Sequence, residues 1–223
     1  MRGKNPLIKK NVSRETLELH RVIVITMTDL PNWFRQTAEA NFRVVLLDPD
    51  HVAKGQERHA LQLGAYKGDA SLWLLNYYLV NEESTLTDVD TWAGSVGEQI
   101  HDEMDFAKVE ATYDEAISPF SSKVVKRKET TNDFFGGMSP SGQCFDFIYI
   151  DARHTAIGTL QDAVNAHDYL NVGGILAFDD YEWTHPDGAY EQSKLGVDAF
   201  MRVYGNKYET ILVNYQVWLK RVA

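Results

Sequence analysis

The stretch Phe145-Asp146-Phe147-Ile148-Tyr149-Ile150-Asp151 predicts a buried β-strand that ends on a carboxylate. Its β-branched and aromatic residues form a run too short for a helix, and Gly142 lies shortly before it. In an open α/β sheet, ligands collect outside the carboxyl ends of the strands. We therefore expect Asp151 to face a crevice rather than the core.

A second strand of the same kind ends on two further acids. The run Gly174-Ile175-Leu176-Ala177-Phe178 is followed directly by Asp179 and Asp180. If the two strands are neighbours, these carboxylates and that of Asp151 lie close together. Crowded carboxylates need a cation or a shared proton, and hard oxygen ligands suit Mg²⁺ or Ca²⁺. The alternative is that Asp179 caps the following turn and Asp180 is simply exposed.

A histidine follows the first of these acids. His154 lies three residues beyond Asp151, at the start of the loop after the strand. At the edge of a crevice, an imidazole can act as a general base near neutral pH. A structural role for His154 is equally compatible with the sequence.

A glycine turn lies earlier in the chain, at Leu63-Gly64-Ala65-Tyr66-Lys67-Gly68-Asp69. It joins a predicted strand at 60–64 to a predicted helix at 69–80. Glycines in these places allow a sharp turn and let a ligand lie against backbone amides at the helix N-terminus. The turn lacks both the three-glycine dinucleotide fingerprint and the Lys-Ser/Thr of a phosphate loop.

The next predicted strand, at 85–90, ends on Asp90. This acid lies 22 residues after Gly68 and 26 after Gly64. An acid roughly 20 residues past a glycine turn is the usual partner of a ribose hydroxyl pair. Together the turn and the acid predict an adenosine-type ligand; the alternative is an ordinary turn with a surface acid.

Strands alternate with helices along most of the chain, which indicates a mainly parallel sheet covered on both faces. A further strand is predicted at 123–128, and helices are predicted at 155–169 and 193–204. The runs 208–212 and 216–219 are so close that they predict a terminal antiparallel pair. We therefore predict a doubly wound α/β fold with a mainly parallel, seven-stranded sheet and a C-terminal antiparallel strand pair.

Residues 1–59 are expected to form an N-terminal extension of helices and short strands, packed on a core domain of residues 60–223. Strand-like runs at 21–26 and 42–47 flank a helix that is predicted to begin near Pro31.

Composition argues against several classes of protein. The 223 residues are 44% hydrophobic, enough to bury a core, so a disordered chain is not expected. The net charge of −10 disfavours nucleic-acid binding, which needs clustered Lys and Arg. No stretch approaches the ~20 apolar residues that span a bilayer. The single cysteine, Cys144, cannot form a disulfide within the chain. A soluble cytoplasmic protein is expected.

These motifs together resemble the class I S-adenosylmethionine-dependent methyltransferases, which have a Rossmann-like fold, and within them methyltransferase family 24. The resemblance covers roughly residues 60–223. It is strongest in the Phe145 strand, in His154 and in Leu170-Asn-Val-Gly-Gly-Ile-Leu-Ala-Phe-Asp-Asp-Tyr-Glu-Trp183. The segments Lys194-Leu-Gly-Val-Asp-Ala-Phe200 and Tyr215-Gln-Val-Trp218 are also similar to that family.

The resemblance implies that the glycine turn wraps the methionine part of the cofactor, that Asp90 binds the ribose, and that residues 130–133 approach the adenine. Related O-methyltransferases hold Mg²⁺ at the ends of the fourth and fifth strands. The residues expected to bind the cation here are Asp151, Asp179 and Asp180. The residues expected to bind the cofactor are Gln62, Gly64, Ala65, Tyr66, Gly68, Ser71, Asp90, Thr91, Trp92, Thr131, Asp133 and Asp151.

Two positions depart from the family pattern. Many relatives have an acid where this chain has Gln62, and some sugar O-methyltransferases place their base where this chain has Arg153. His154 falls where the catechol branch has a lysine base. The expected catalytic residues are His154 and Asp151.

The expected function is an S-adenosylmethionine-dependent O-methyltransferase, assisted by Mg²⁺ or another divalent cation, that acts on a hydroxyl of a small molecule or a sugar. One alternative is an NAD(P)-dependent oxidoreductase on a Rossmann fold, against which the missing third glycine argues. Another is a non-catalytic, cofactor-binding partner subunit, which Gln62 favours. No nucleic-acid or membrane partner is expected, and a homo-oligomer stays open.

Overall fold

The computed structural model describes residues 30–94, 104–139, 142–184, 188 and 192–223. The strand predicted at 21–26 lies outside these ranges. Asn32–Ala223 form one unit, to which the following account applies. Among the described helices, none combines the length and apolar composition that crossing a bilayer requires.

Within the described residues, seven strands form one sheet in the order β3-β2-β1-β4-β5-β7-β6. Neighbouring strands from β1 to β5 are parallel, whereas β7 runs antiparallel to both β5 and β6. This confirms the predicted Rossmann-like sheet and its C-terminal antiparallel pair. The strands are β1 His59–Leu63, β2 Thr85–Asp90, β3 Val124–Lys128, β4 Phe145–Ile150, β5 Leu170–Phe178, β6 Tyr208–Val213 and β7 Val217–Arg221.

Helices precede β1 and connect most of the strands. Two of them include a π-helical turn, Phe34–Ala38 before α1 and Leu74–Tyr78 after α2, and two short 3₁₀ turns occur at Ser118–Phe120 and Gly205–Lys207. The α-helices are α1 Glu39–Leu46, α2 Asp69–Trp73, α3 Phe106–Ile117, α4 Thr131–Gly137, α5 Ala156–Tyr169 and α6 Ser193–Tyr204.

The strand-like run at 42–47 is largely helical, so the prediction of a strand there is wrong. Phe42, Val45 and Leu46 are buried, whereas Val44 is 62% exposed. Burial at positions separated by three and four residues is the pattern of a helix with one apolar face. The packing of that face overrides the β-propensity of the two valines. The boundary predicted between residues 59 and 60 stays a prediction.

The fifth strand begins earlier than the sequence indicates. The predicted run begins at Gly174, whereas β5 begins at Leu170, so Gly173 and Gly174 lie inside the strand. Leu170 pairs with Phe145, and the register shifts before Phe147 pairs with Ile175. The glycines therefore occupy an irregular part of the strand, as glycines inside strands often do.

An aromatic cluster fixes α1 against one face of the sheet. The Phe42 ring meets the rings of Trp73, Phe147, Tyr149 and Trp218 edge-on, with centroids 4.9–5.7 Å apart. Edge-to-face pairs of this kind add to the free energy gained by burying the rings. Side chains from β4 and β5 that point the other way, such as Ile148 and Leu176, join a separate core cluster with residues of α5 and α6: Ala163, Ala166, Val197 and Phe200.

Replacement of Phe42 by Ala should destabilise the fold. The side chain is completely buried among five aromatic rings, the four above and that of Phe34, so we expect a loss of about 3–5 kcal/mol in the free energy of unfolding. Urea denaturation followed by tryptophan fluorescence measures it. Val44→Ala, on the exposed face of the same helix, is the matched control and should change stability by less than about 0.5 kcal/mol. Equal effects of the two substitutions would contradict this packing.

Candidate functional site

The glycine turn after β1 uses a backbone conformation that side chains rarely allow. Gly64, Tyr66 and Gly68 have φ angles of 88°, 48° and 90°. A Cβ on Gly64 would lie 1.9 Å from the carbonyl oxygen of Asp151. The amide of Asp151 donates to the carbonyl of Leu63 at 2.8 Å. The absence of a side chain at Gly64 therefore lets the glycine turn lie directly against the end of β4.

The carboxylate of Asp90 holds this turn in shape. Its Oδ2 accepts hydrogen bonds from the amides of Ala65, at 2.8 Å, and Tyr66, at 2.9 Å. Its Oδ1 accepts from the amide of Trp92 at 2.7 Å, and the indole of Trp92 donates to the carbonyl of Tyr66 at 2.8 Å. A carboxylate offers about four lone-pair sites, and these three hydrogen bonds leave one of them, on Oδ1. Asp90 can thus order the turn and still accept a hydrogen bond from a ligand hydroxyl.

Two predicted cofactor residues support the turn from the interior. Gln62 and Ser71 are both buried. The Gln62 Nε2 donates to the carbonyl of Gly64 at 2.8 Å, and the Ser71 hydroxyl donates to the Gln62 Oε1 at 3.2 Å. A glutamine can make both contacts because its amide carries a donor and an acceptor. An acid at position 62 would repel the carbonyl of Gly64.

The start of α4 lies beside the end of β2. The amide of Glu129 donates to the carbonyl of Asp90 at 3.1 Å. Thr130 caps the helix by accepting from the amide of Asp133 at 3.1 Å, and Thr131 is buried while Asp133 is exposed. Residues 130–133 therefore lie at the same end of the sheet as the glycine turn. Thr91, also predicted to bind the cofactor, accepts from the Ala93 amide at 3.2 Å.

The acids that follow β4 and β5 meet, and a histidine joins them. One ligand atom from each of Asp151, His154 and Asp180 lies within 4.8 Å of the others. The His154 Nε2 is 3.2 Å from the Asp180 Oδ2 and 3.6 Å from the Asp151 Oδ1. Two carboxylate oxygens and one imidazole nitrogen are a donor set that divalent metals accept.

Asp179 faces a different direction from its neighbour. Its carboxylate accepts hydrogen bonds from the buried hydroxyl of Tyr149 and, at 2.8 Å, from the amide of Asp180. Among the described residues, the group of atoms within 4.8 Å includes His154 and not Asp179. A role for Asp179 as a metal ligand stays a prediction.

Desolvation and repulsion between the carboxylates raise the pKa values of Asp151 and Asp179. Desolvation raises the pKa of Asp151 to about 6, and repulsion from Asp180 adds to the shift while His154 opposes it. Burial raises the pKa of Asp179 well above its ordinary value, with further repulsion from Asp151 and Asp180. Carboxylates that resist ionisation in this way are stabilised by a cation or by a retained proton.

Tyr215, whose role the sequence did not reveal, helps to fix Asp180. Its hydroxyl donates to the Asp180 Oδ1 at 2.9 Å, and its carbonyl accepts from the amide of Tyr181 at 2.9 Å. Asp180 itself has a φ of 56°, an uncommon conformation for a residue other than glycine. The short turn between β6 and β7 is the sequence feature that could have indicated this role of Tyr215, because an antiparallel pair next to β5 brings that turn back to the end of β5. Trp183 packs its ring 5.7 Å from that of His154.

Arg153 points away from this cluster. Its guanidinium forms an ion pair with Asp162 at 2.6 Å and donates to the carbonyl of Gly158 at 3.2 Å. The side chain therefore braces the start of α5. At the position where some sugar O-methyltransferases carry a base, this chain therefore has an arginine with a structural role.

A buried acid that the sequence analysis missed lies in β2, next to the glycine turn. Asp88 is fully buried and accepts a hydrogen bond from the Tyr113 hydroxyl at 2.8 Å. Burial raises the pKa of Asp88 to about 7. Alternation along the strand places Asp88 and Asp90 on the same side, which is the signal that could have identified it.

Replacement of Asp88 by Asn should change how stability depends on pH. Burial raises the pKa of this carboxyl to about 7 in the folded state from its ordinary value of 3.8, so its contribution to stability is complete below about pH 4 and is lost as the pH rises through 7. Asparagine keeps an acceptor for Tyr113 and cannot ionise. Relative to the unsubstituted chain, the variant should gain roughly 2–4 kcal/mol between pH 4 and pH 8.

Urea denaturation across that pH range measures the gain. Asp168→Asn, which replaces an exposed acid in α5, is the control and should show no comparable trend. A stability difference for the Asp88 variant that stays constant with pH would contradict a raised pKa at this position.

Replacement of Gly64 by Ala should destabilise the protein more than the same change at Gly68. Both glycines have φ near 90°, so both substitutions carry a backbone penalty of about 1–2 kcal/mol. Only the Gly64 variant also forces the main chain of Asp151 to move, since the nearest atom to a Cβ at Gly68 is 3.2 Å away in the Tyr113 ring. Thermal unfolding of the two variants compares them; equal losses would show that the close approach is unimportant.

Comparison with known proteins identifies a family that matches this chain. Residues 61–181, more than half of the chain, match methyltransferase family 24, described as "Methyltransferase domain". A search of curated protein sequences found no match.

Three solved structures illustrate the shared fold. The O-methyltransferase from Bacillus cereus in complex with S-adenosylhomocysteine is 15% identical, with a TM-score of 0.60 over 96% of this chain and 93% of that chain. TomG from Streptomyces achromogenes, an O-methyltransferase of tomaymycin synthesis in complex with S-adenosylmethionine, is 14% identical, with a TM-score of 0.58 over 92% and 87%. The Podospora anserina methyltransferase PaMTH1, bound to S-adenosylhomocysteine, is 14% identical, with a TM-score of 0.58 over 100% of both chains.

The matched segment begins in β1, directly before the glycine turn, and ends one residue after Asp180, so it includes every element of the site described above up to the end of β5. The chain therefore belongs to methyltransferase family 24 and is a class I S-adenosylmethionine-dependent methyltransferase.

Proposed function

We propose that this methyltransferase transfers its methyl group to a hydroxyl oxygen of a small molecule or a sugar, with the help of Mg²⁺ or another divalent cation. The observation that carries the proposal is the position of Asp151. Its backbone carbonyl contacts the glycine turn at Gly64, and its carboxylate belongs to the cluster with His154 and Asp180. One residue thus joins a cofactor turn to a group of acids and a base.

The cofactor side of the site fits an adenosyl sulfonium. S-adenosylmethionine supplies a methyl group on a positively charged sulfur. The turn from Gly64 to Gly68 has small or absent side chains at Gly64, Ala65 and Gly68 beside the methionine part, and the remaining lone pair of the Asp90 Oδ1 accepts from a ribose hydroxyl. Thr131 and Asp133 lie at the start of α4, where they border the adenine. Gln62 and Ser71 act through the turn that they support.

The acidic side of the site fits a divalent cation. Asp151 and Asp180 provide hard oxygen ligands from two different strand ends, and burial raises the pKa of Asp151 although His154 offsets part of the shift, so a cation would stabilise the ionised form. A bound cation supplies positive charge that lowers the pKa of an acceptor hydroxyl and orients it. Asp180 is held for this role by its hydrogen bond from Tyr215.

His154 is the proposed base. Its ring lies between the two acids and against Trp183, which fixes its orientation. In its neutral form, the imidazole accepts the proton that leaves the acceptor hydroxyl as the methyl group arrives. Bringing the two reactants together at near-attack distance supplies much of the acceleration in such a displacement.

The solved structures add support for oxygen as the acceptor, because the proteins from B. cereus and S. achromogenes are described as O-methyltransferases. The net charge of −10 favours a small acceptor over a nucleic acid. Membership of a methyltransferase family argues against the alternative of a nicotinamide-dependent oxidoreductase.

Replacement of Asp180 by Asn should separate cation binding from cofactor binding. Isothermal titration calorimetry should show S-adenosylhomocysteine binding with similar affinity to both proteins, because Asp180 lies outside the glycine turn. Mg²⁺ should bind at least about 10-fold more weakly to the variant, since a charged ligand is lost. Asp168→Asn, at an exposed position of α5, is the matched control. The absence of S-adenosylhomocysteine binding to the unsubstituted chain would refute the cofactor assignment.

Two further variants in the same titration assign the remaining roles. Asp179→Asn should weaken Mg²⁺ binding as much as Asp180→Asn if Asp179 is a ligand, and less if it serves only Tyr149. His154→Gln should bind both S-adenosylhomocysteine and Mg²⁺ and lose transfer of a tritiated methyl group to a panel of hydroxyl compounds. Unchanged Mg²⁺ affinity in the Asp180 variant would remove the cation from the proposal, and full turnover of the His154 variant would remove the base.

A further inference from the structure

A cavity lies at the amino ends of the central strands β1, β4 and β5, whereas the methyltransferase site lies at their carboxyl ends. The cavity is bounded by the residue before β1, by the beginning of β4 and by the irregular first part of β5. Its volume is about 200 Å³. It is lined by His51, Val52, Ala53, Gln56, Arg58, Tyr78, Asp146, Val172, Gly173, Gly174 and Ile175.

A buried guanidinium is the main charge in this cavity. Arg58 is only 7% exposed. It donates to the carbonyl of Ala53 and, at 3.5 Å, to the carbonyl of Gln56, and its charge lies 5.1 Å from the centre of the Tyr78 ring. No carboxylate of the described residues forms an ion pair with it. Backbone carbonyls and a ring face use only part of the five N–H donors of a guanidinium and do not neutralise it.

The one acid that lines the cavity is already engaged. One oxygen of Asp146 accepts from the amide of His59 at 2.9 Å, and the other accepts from the side chain of Asn171 at 2.9 Å. These bonds tie the starts of β1, β4 and β5 together. Asp146 therefore anchors the backbone here, and its carboxylate is not directed at Arg58.

We propose that this cavity binds a small oxyanion, a phosphate or carboxylate group, on Arg58. A buried charge is costly unless it is paired, and the rigid fork of a guanidinium matches two oxygens of such a group. His51 and Gln56 line the same space and can add donors to the anion. Because the cavity is smaller than the roughly 300–1,000 Å³ of pockets for larger ligands, the occupant is small.

Titration of the full chain with inorganic phosphate and, separately, with succinate tests this site. We expect at least one of the two anions to bind and to raise the melting temperature, since a ligand that binds only the folded state stabilises it. The anion that binds identifies the group as phosphate or carboxylate. Absence of binding by both anions would overturn the proposal.

Variants then place the anion in the cavity. Arg58→Met should weaken binding by at least about 10-fold, as expected when a charge-assisted hydrogen bond is lost. Val172→Asp should also weaken it, because Val172 is 66% exposed at the cavity wall and tolerates a charge that repels the ligand. Arg202→Met, on the surface of α6, should leave it unchanged. If the Arg58 variant fails to fold, the Val172 variant decides.

Affinity for the anion that survives in both variants would place binding elsewhere and refute the site. Binding of S-adenosylhomocysteine should be the same in the Val172 variant as in the unsubstituted chain, because the cavity and the glycine turn lie at opposite ends of the strands. This readout keeps the outcome separate from the proposed function of the methyltransferase site.

Discussion

The close approach of the Gly64 backbone to the carbonyl of Asp151 is the constraint on which the site depends. Parallel strands β1 and β4 are neighbours, so the segments that leave their carboxyl ends must share a narrow space. A side chain at position 64 would separate them, since its Cβ would lie 1.9 Å from that carbonyl oxygen. With glycine there, the glycine turn and the acid cluster lie side by side.

Asp90 provides the second constraint. Three backbone amides donate to this one carboxylate, at 2.7–2.9 Å. A charged acceptor makes stronger hydrogen bonds than a neutral one, so the turn is held before a ligand arrives. Preorganisation of this kind reduces the entropy that binding must overcome. The acid that is proposed to bind the ribose is thus also part of the scaffold.

Charge is distributed unevenly over the two ends of the sheet. At the carboxyl ends, Asp88, Asp151 and Asp179 all have raised pKa values because burial disfavours their ionised forms. At the amino ends, Arg58 is buried without an ion-pair partner among the described residues. In a low-dielectric interior, each excess of charge favours a ligand of the opposite sign. The same physical argument therefore leads to a cation at one end and an anion at the other.

The positions of most strands, the glycine turn, and the acids at the ends of β2, β4 and β5 could be predicted from the sequence. These features depend on local alternation and on residues that are adjacent in the chain. The sequence could not determine which way Asp179 and Asp180 turn, since the positive φ of Asp180 and the hydroxyls of Tyr149 and Tyr215 come from distant segments. Only the tertiary structure made residues 42–47 largely helical, because a helix buries Phe42 among rings from three separate elements, whereas β-propensity describes the isolated run.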